Sequence, residues 1–279
     1  MKEYHDLSFK LSKKLTNAYS TSFSFGIRAF APEYRAPIYA IYAYVRLADE
    51  IVDTFHEYDK SYLLEKFRRD TFEAIEMGIS TNTVLHAFQK VVREYNIDHN
   101  HITAFLNSME MDLTNNSYER NNYDNYIYGS AEAVGLMCLH VFCKGDNNIY
   151  DELKYSARML GSAFQKVNFL RDIQADILER GRIYLPGVSR EIEINDKNKK
   201  YLEEEIEREF NEALEGIKKL PIGVKLGVYS AYRYYRALFN KIQRLGINDL
   251  IKRRVRISDI KKLLLLVKSI YEIKVVKTA

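Results

Sequence analysis

No proline interrupts the chain between Pro37 and Pro186, and the whole sequence of 279 residues holds only 12 Gly and 4 Pro. Together these make up about 6% of the residues, roughly half the usual share in globular proteins. A chain that reverses direction every few residues needs such turn formers, so the composition argues against a many-stranded β architecture and for long helices. Apolar residues recur at helical spacing in nearly every segment between the turn signals. The pattern predicts helices over 3–18, 33–56, 61–77, 82–95, 100–116, 121–143, 149–180, 197–219, 223–244 and 256–275. Pro32 and Pro37 stand at a helix start, Gly78 and Gly145 at helix ends, and Gly181, Pro186 and Gly187 mark a loop. With 47% hydrophobic residues and neither a linker nor a repeat of constant period, the chain reads as all-α, one domain over 1–279.

The uninterrupted apolar runs are short, for example Ile38 to Val45 and Ala133 to Leu139, against the roughly 18 to 20 residues that cross a bilayer. The start, MKEYHDLSFKLSKK, lacks the apolar region of a secretory signal, so the expected compartment is the cytoplasm. The two cysteines, Cys138 and Cys143, lack redox or zinc spacing and are expected to be reduced core residues. His5, His56, His86, His99, His101 and His140 show no mutual ligand spacing, and no Gly-rich fingerprint marks a nicotinamide fold.

The net charge of +4 is too small to suggest nucleic acid, but it is unevenly spread. From Ile251 to the end there are nine Lys or Arg and two acids, a surplus that invites an anionic partner. The mixed charges from Glu191 to Glu215 read as a solvated helix face.

The segment IYAIYAYVRLADEIVDTF, residues 38–55, reads as a buried helix interrupted by polar side chains. Tyr42, Arg46, Asp49 and Asp53 fall within about 60° of one another around a helix, forming one stripe. In LGSAFQKVNFLRDIQADILERGRIYLP, residues 160–186, Gln165, Asn168, Asp172 and Asp176 form a second stripe about 80° wide. Two helices therefore each present a pair of carboxylates one turn apart. Spacing alone is weak evidence, because 15 Asp in this chain give about one such pair by chance, and like charges there mildly destabilise a helix. The pattern leaves two readings open: one site built from both pairs, or ordinary salt bridges. Facing carboxylate pairs suit hard divalent cations, since Mg²⁺ takes oxygen ligands and is typically held by one or two carboxylates together with substrate phosphates. Arg46, Arg171 and further basic residues would complete a diphosphate cage, with an apolar cavity beyond it.

The stretches YSTSF (19–23), YAIYAYVRLADEIVD (39–53), MEMDL (109–113), YIYGSAEAVGLM (126–137), residues 160–186 and KRRVRIS (252–258) together resemble the squalene and phytoene synthase family. Within that family of head-to-head prenyl synthases the chain is most similar to the bacterial phytoene synthases of carotenoid biosynthesis. The resemblance covers nearly the whole chain. It implies an all-α isoprenoid synthase fold with a central cavity and the two aspartate motifs facing each other at its mouth. Asp49, Asp53, Asp172 and Asp176 then match the metal-binding aspartates, for Mg²⁺ or Mn²⁺. Tyr42 and Tyr126 match catalytic aromatic positions. Ser20, Ser22 and Phe23 fall on a segment closing over the substrate, and Arg46, Gln165, Asn168, Arg171, Tyr235 and Arg254 match substrate contacts.

The implied reaction joins two C20 geranylgeranyl diphosphates, through prephytoene diphosphate, to phytoene. The alternatives are a squalene or dehydrosqualene synthase acting on C15 farnesyl diphosphate, with NADPH required for squalene, and a non-catalytic lipid-binding or assembly relative. One departure weakens the squalene reading: Ser130, Ala131 and Glu132 replace the Val-Ala-Gly of many members, and Gly129 stands where squalene synthases carry a further Tyr. Glu132 is expected to be a buried carboxyl with an Arg partner, the alternative being an extra charge near the reacting carbons. Asp112 is expected to pair with an Arg, and Met109 and Met111 to pack. The basic C-terminal segment reads first as a last core helix with a solvated basic face and Arg254 turned toward the diphosphates. Its alternative reading is a salt-sensitive peripheral contact with the anionic inner face of a membrane.

Overall fold

A computed structural model describes residues 1–114, 118–186, 188 and 194–273, apart from the side chains of Thr21 and Ser22. Its helices are α1 (Lys2–Tyr19), α2 (Thr21–Arg28), α3 (Pro32–Asp53), α4 (Lys60–Met77), α5 (Thr83–Glu94), α6 (His99–Thr114) and α7 (Arg120–Ile127). After a π-helical turn over Tyr128–Glu132 come α8 (Ala133–Cys143), α9 (Asn147–Leu178), α10 (Asp196–Lys219), α11 (Ile222–Gln243), α12 (Ile247–Lys252) and α13 (Asp259–Tyr271). No β-strand occurs among the described residues. The boundaries follow local chemistry. Asp59 and Asn82 accept hydrogen bonds from the first free amides of α4 and α5, and α4 ends at Gly78 in the left-handed region, φ 72°.

Ten segments match the sequence expectation to within a few residues where the chain is described; Gly187 and residues 115–116 and 274–275 lie outside it. Two short helices, α2 and α12, have too few turns for periodicity to stand out. The predicted 121–143 helix is continuous but widens into the π turn at its middle. There Gly129 packs so closely on α6 that a Cβ would lie 2.3 Å from the Ala104 carbonyl oxygen. The helical stretch Arg120–Cys143 is also long and apolar enough to cross a membrane, although its charges and Tyr residues break any uninterrupted apolar run. Here 61% of its most apolar window is buried inside the bundle, where the π turn and α8 pack against α6 and α9.

The expectation for Glu191–Glu215 requires correction, with 191–193 outside the described residues. The most extensive helix contact in the fold is α9 on α10, and it buries Lys199 and Glu205. Glu205 accepts from Arg120 (2.6 Å) and lies 3.2 Å from Lys166, whose ammonium also reaches Glu209 at 2.5 Å. Burial of this charge is tolerated because opposite charges and hydrogen bonds meet it, which one-dimensional charge patterning does not reveal. The C-terminal helix also departs from expectation. Only Ser269 of α13 is fully buried; Leu265 and Leu266 are half-buried, and its other apolar residues are exposed.

Candidate active site

The long helices α3 and α9, of 22 and 32 residues, face a single cavity of about 1650 Å³ that α2, α8, α10, α11 and the segment before α13 also wall. Its closed end is apolar, with Phe30, Phe142, Leu153, Ile217, Leu220 and Val228 all buried. Its open end is ionic. Both predicted stripes converge there: Tyr42, Arg46, Asp49 and Asp53 from α3, and Gln165, Asn168, Asp172 and Asp176 from α9. A 3.6-residue period explains this convergence, since each stripe shares one helix face and both faces are turned inward.

One guanidinium joins the two carboxylate pairs. Arg180 lies 2.7 Å from Asp176 and 3.6 Å from Asp53. Arg182 donates to Asp53 at 2.8 Å. Asp172 is gripped by Arg171 through Nε at 3.0 Å and through Nη2, and by Arg254 at 2.6 Å. Arg46 contacts Glu50, lies 3.9 Å from Asp49, and stacks over Tyr19 at 4.4 Å. The site thus alternates acids and arginines around one opening.

Burial pushes the carboxyls of Asp49 and Asp176 up to about 7, with Asp53 raising Asp49 further and Arg180 opposing the rise in Asp176. Burial acts upward on Asp172 as well, but Arg171 and Arg254 outweigh it and hold that carboxyl below its ordinary range. Among the described residues no three His, Cys, Asp or Glu side chains gather as a preformed metal cage. The donors are nevertheless hard oxygens set in pairs on opposite walls, which fits cations that take one or two carboxylates and complete their shell from phosphate and water.

The remaining expected residues also line the cavity, except that Ser22's side chain lies outside the described set. Ser20 caps α2 by accepting from the Phe23 amide, and the Phe23 ring lies 5.1 Å from that of Tyr42. Burial raises the Tyr42 hydroxyl above its ordinary range, with the Ser20 hydrogen bond opposing it. Tyr235 donates to Asn168 at 3.2 Å and stacks on Phe164. Tyr126 donates to Asp112 at 2.8 Å.

Asp112 meets its expected arginine and gains tyrosine donors besides. Arg182 is 3.9 Å away, whereas Tyr118, Tyr126 and Tyr184 each donate to it at 2.8 Å. Arg180, Arg182, Tyr118 and Tyr184 carry no stripe signal of their own. The available clues were the i, i+4 spacing of Asp176 and Arg180 and the proximity of residues 182 and 184 to the second stripe. Glu132 meets its expected arginine, with Arg158 Nε at 2.6 Å. Cys138 and Cys143 are free thiols, both raised by burial, and Cys138 lines the cavity.

An all-helical bundle around a deep cavity, apolar inside and ionic at its mouth, defines an isoprenoid synthase fold. Residues 16–261 match the squalene/phytoene synthase family, and the chain belongs to it, a family of prenyltransferase type. It is 29% identical to the chloroplastic phytoene synthase 1 of Solanum lycopersicum over 89% of this chain and 64% of that protein. It is 30% identical to the chloroplastic phytoene synthase 2 of the same organism, over 89% of this chain and 85% of that one. The chain therefore spans less than two thirds of the first of these relatives. A crystal structure of a dehydrosqualene synthase with a bound ligand shares the fold, with a TM-score of 0.83, 22% identity and 98% coverage of both chains.

Proposed function

We propose that the protein is a phytoene synthase, condensing two geranylgeranyl diphosphates head to head to phytoene by way of prephytoene diphosphate. The observation that carries this reading is Arg180 bridging Asp53 and Asp176 at the mouth of a cavity of about 1650 Å³. Ordinary small-molecule pockets hold roughly 300–1,000 Å³, so the volume suits more than one long hydrocarbon chain. Asp49, Asp53, Asp172 and Asp176 would hold Mg²⁺, which when bound supplies positive charge to the diphosphate leaving group.

The chain's own residues do the rest. Arg46, Arg171, Arg180, Arg182 and Arg254 bind and orient the phosphates, exchanging carboxylate partners for phosphate oxygens of similar geometry. The apolar closed end holds the hydrocarbon tails and excludes water, which would capture carbocations as alcohols. Aromatic faces of Tyr42, Tyr126 and Phe169 favour positive charge at the reacting carbons.

The test is incubation of purified protein and Mg²⁺ with C15 and C20 diphosphates, with and without NADPH, followed by product identification. Phytoene from C20 is the expected result. Squalene or dehydrosqualene from C15, with no C40 product, would replace the reading, and diphosphate release from neither substrate would remove it. Asp49→Asn, Asp53→Asn, Asp172→Asn and Asp176→Asn should each lower turnover by orders of magnitude with helicity unchanged. A variant that keeps full activity at limiting Mg²⁺ excludes its residue from the metal site.

A further inference from the structure

The geometry of α13 points to a docking face for an anionic lipid surface, and we propose that this helix lies on a bilayer beside the cavity mouth. Ile260, Leu263, Leu264, Val267, Ile270 and Tyr271 recur at i, i+3, i+4, i+7, i+10 and i+11, the spacing of one helix face. In a soluble bundle such a face is the one buried. Here these side chains are 75%, 58%, 63%, 57%, 36% and 57% exposed, respectively.

The orientation is fixed from behind. α13 runs antiparallel to α11, with Glu272 accepting from Tyr229 (2.9 Å) and Arg233 (2.8 Å) at one end and Lys262 lying 5.7 Å from the Tyr234 ring centre at the other. These contacts turn the face that carries Lys262, Leu265, Leu266 and Ser269 toward the bundle and leave the apolar stripe outward.

Charge selects the occupant. Residues 251–279 carry nine Lys or Arg against two acids. Both acids are engaged within the chain, Asp259 with Lys262 at 3.0 Å and Glu272 with Arg233. Lys261 and Lys268 are exposed on α13 itself, and Lys252, Arg253 and Arg256 are exposed in the segment that leads into it. A second copy would set these cations against their own kind. An anionic bilayer offers acyl chains to the stripe and headgroup charge to the lysines, the pattern of an interfacial amphipathic helix. Leu263 and Leu266 on the same helix also line the cavity, so docking there brings the mouth to the lipid. The inference does not rest on the proposed reaction.

The test is co-sedimentation with vesicles of phosphatidylcholine alone and of an equimolar mixture with phosphatidylglycerol, using full-length protein without substrate. Binding is expected to the mixed vesicles and to weaken as salt rises. The Ile260→Gln/Leu264→Gln/Val267→Gln variant should bind about tenfold more weakly or worse, as should Lys252→Gln/Arg253→Gln/Lys268→Gln. Circular dichroism and urea unfolding would establish that both variants remain folded. Equal binding to neutral and anionic vesicles, binding to neither, or wild-type binding by the apolar-face variant would overturn the proposal. So would a concentration-dependent dimer in sedimentation velocity that the apolar-face variant abolishes, because the stripe would then belong to a second copy.

Discussion

Asp112 illustrates how a single side chain gathers partners that its neighbours in sequence do not announce. Its carboxyl is buried, and burial raises it above its ordinary range against the opposing charge of Arg182. Tyr118 lies six residues away, Tyr126 fourteen and Tyr184 seventy-two, yet all three hydroxyls converge on the same two oxygens. An amide has only one acceptor oxygen, so Asp112→Asn turns an NH₂ group toward at least one hydroxyl donor. The expected loss is about 2–3 kcal/mol of folding stability in urea denaturation, whereas Tyr118→Phe, which deletes one donor, should cost about 1 kcal/mol. Equal stability of Asp112→Asn and wild type would mean that the tyrosine cluster does not depend on the carboxylate. The four motif aspartates were legible because each acts within a stripe on its own helix. The tyrosine partners of Asp112 were not, because they come from separate elements.

At the level of elements, the π turn over Tyr128–Glu132 sets how α7 and α8 meet the bundle. Sequence pattern predicted a plain helix there, and periodicity cannot register the one extra residue of a π turn. The tertiary reason is close approach from two sides. A Cβ on Gly129 would meet the Ala104 oxygen at 2.3 Å, and one on Gly161 of α9 would meet the Ala131 oxygen at 2.6 Å. Both neighbours are backbone atoms, which cannot swing away. Gly129→Ala should therefore cost about 1–3 kcal/mol by thermal or urea unfolding, while Gly145→Ala, open on all sides but at φ 85°, tests backbone strain alone. A fully stable Gly129→Ala would show that α6 can move aside. The same crowding leaves no room for a tyrosine ring at position 129.

For the whole molecule, the cavity mouth concentrates opposite charges that would be costly to bring together without a ligand or one another. If Mg²⁺ and a diphosphate bind there together, pyrophosphate with Mg²⁺ should raise the melting temperature by several degrees, since ligand at 100 times its Kd adds about 2.7 kcal/mol. Neither component alone should match the pair, and Asp49→Asn/Asp172→Asn should lose most of the shift. Equal shifts from pyrophosphate with and without Mg²⁺ would leave the arginines as the whole site. The sequence by itself determined the helical class, ten helical segments and both carboxylate stripes, because helical periodicity and side-chain direction act over a few adjacent residues. Only the tertiary structure decided that Arg180 joins the two stripes, that Lys199 and Glu205 lie inside, and that the apolar face of α13 turns outward. Those outcomes depend on which distant surfaces meet, and burial is a property of the packed chain rather than of any segment in it.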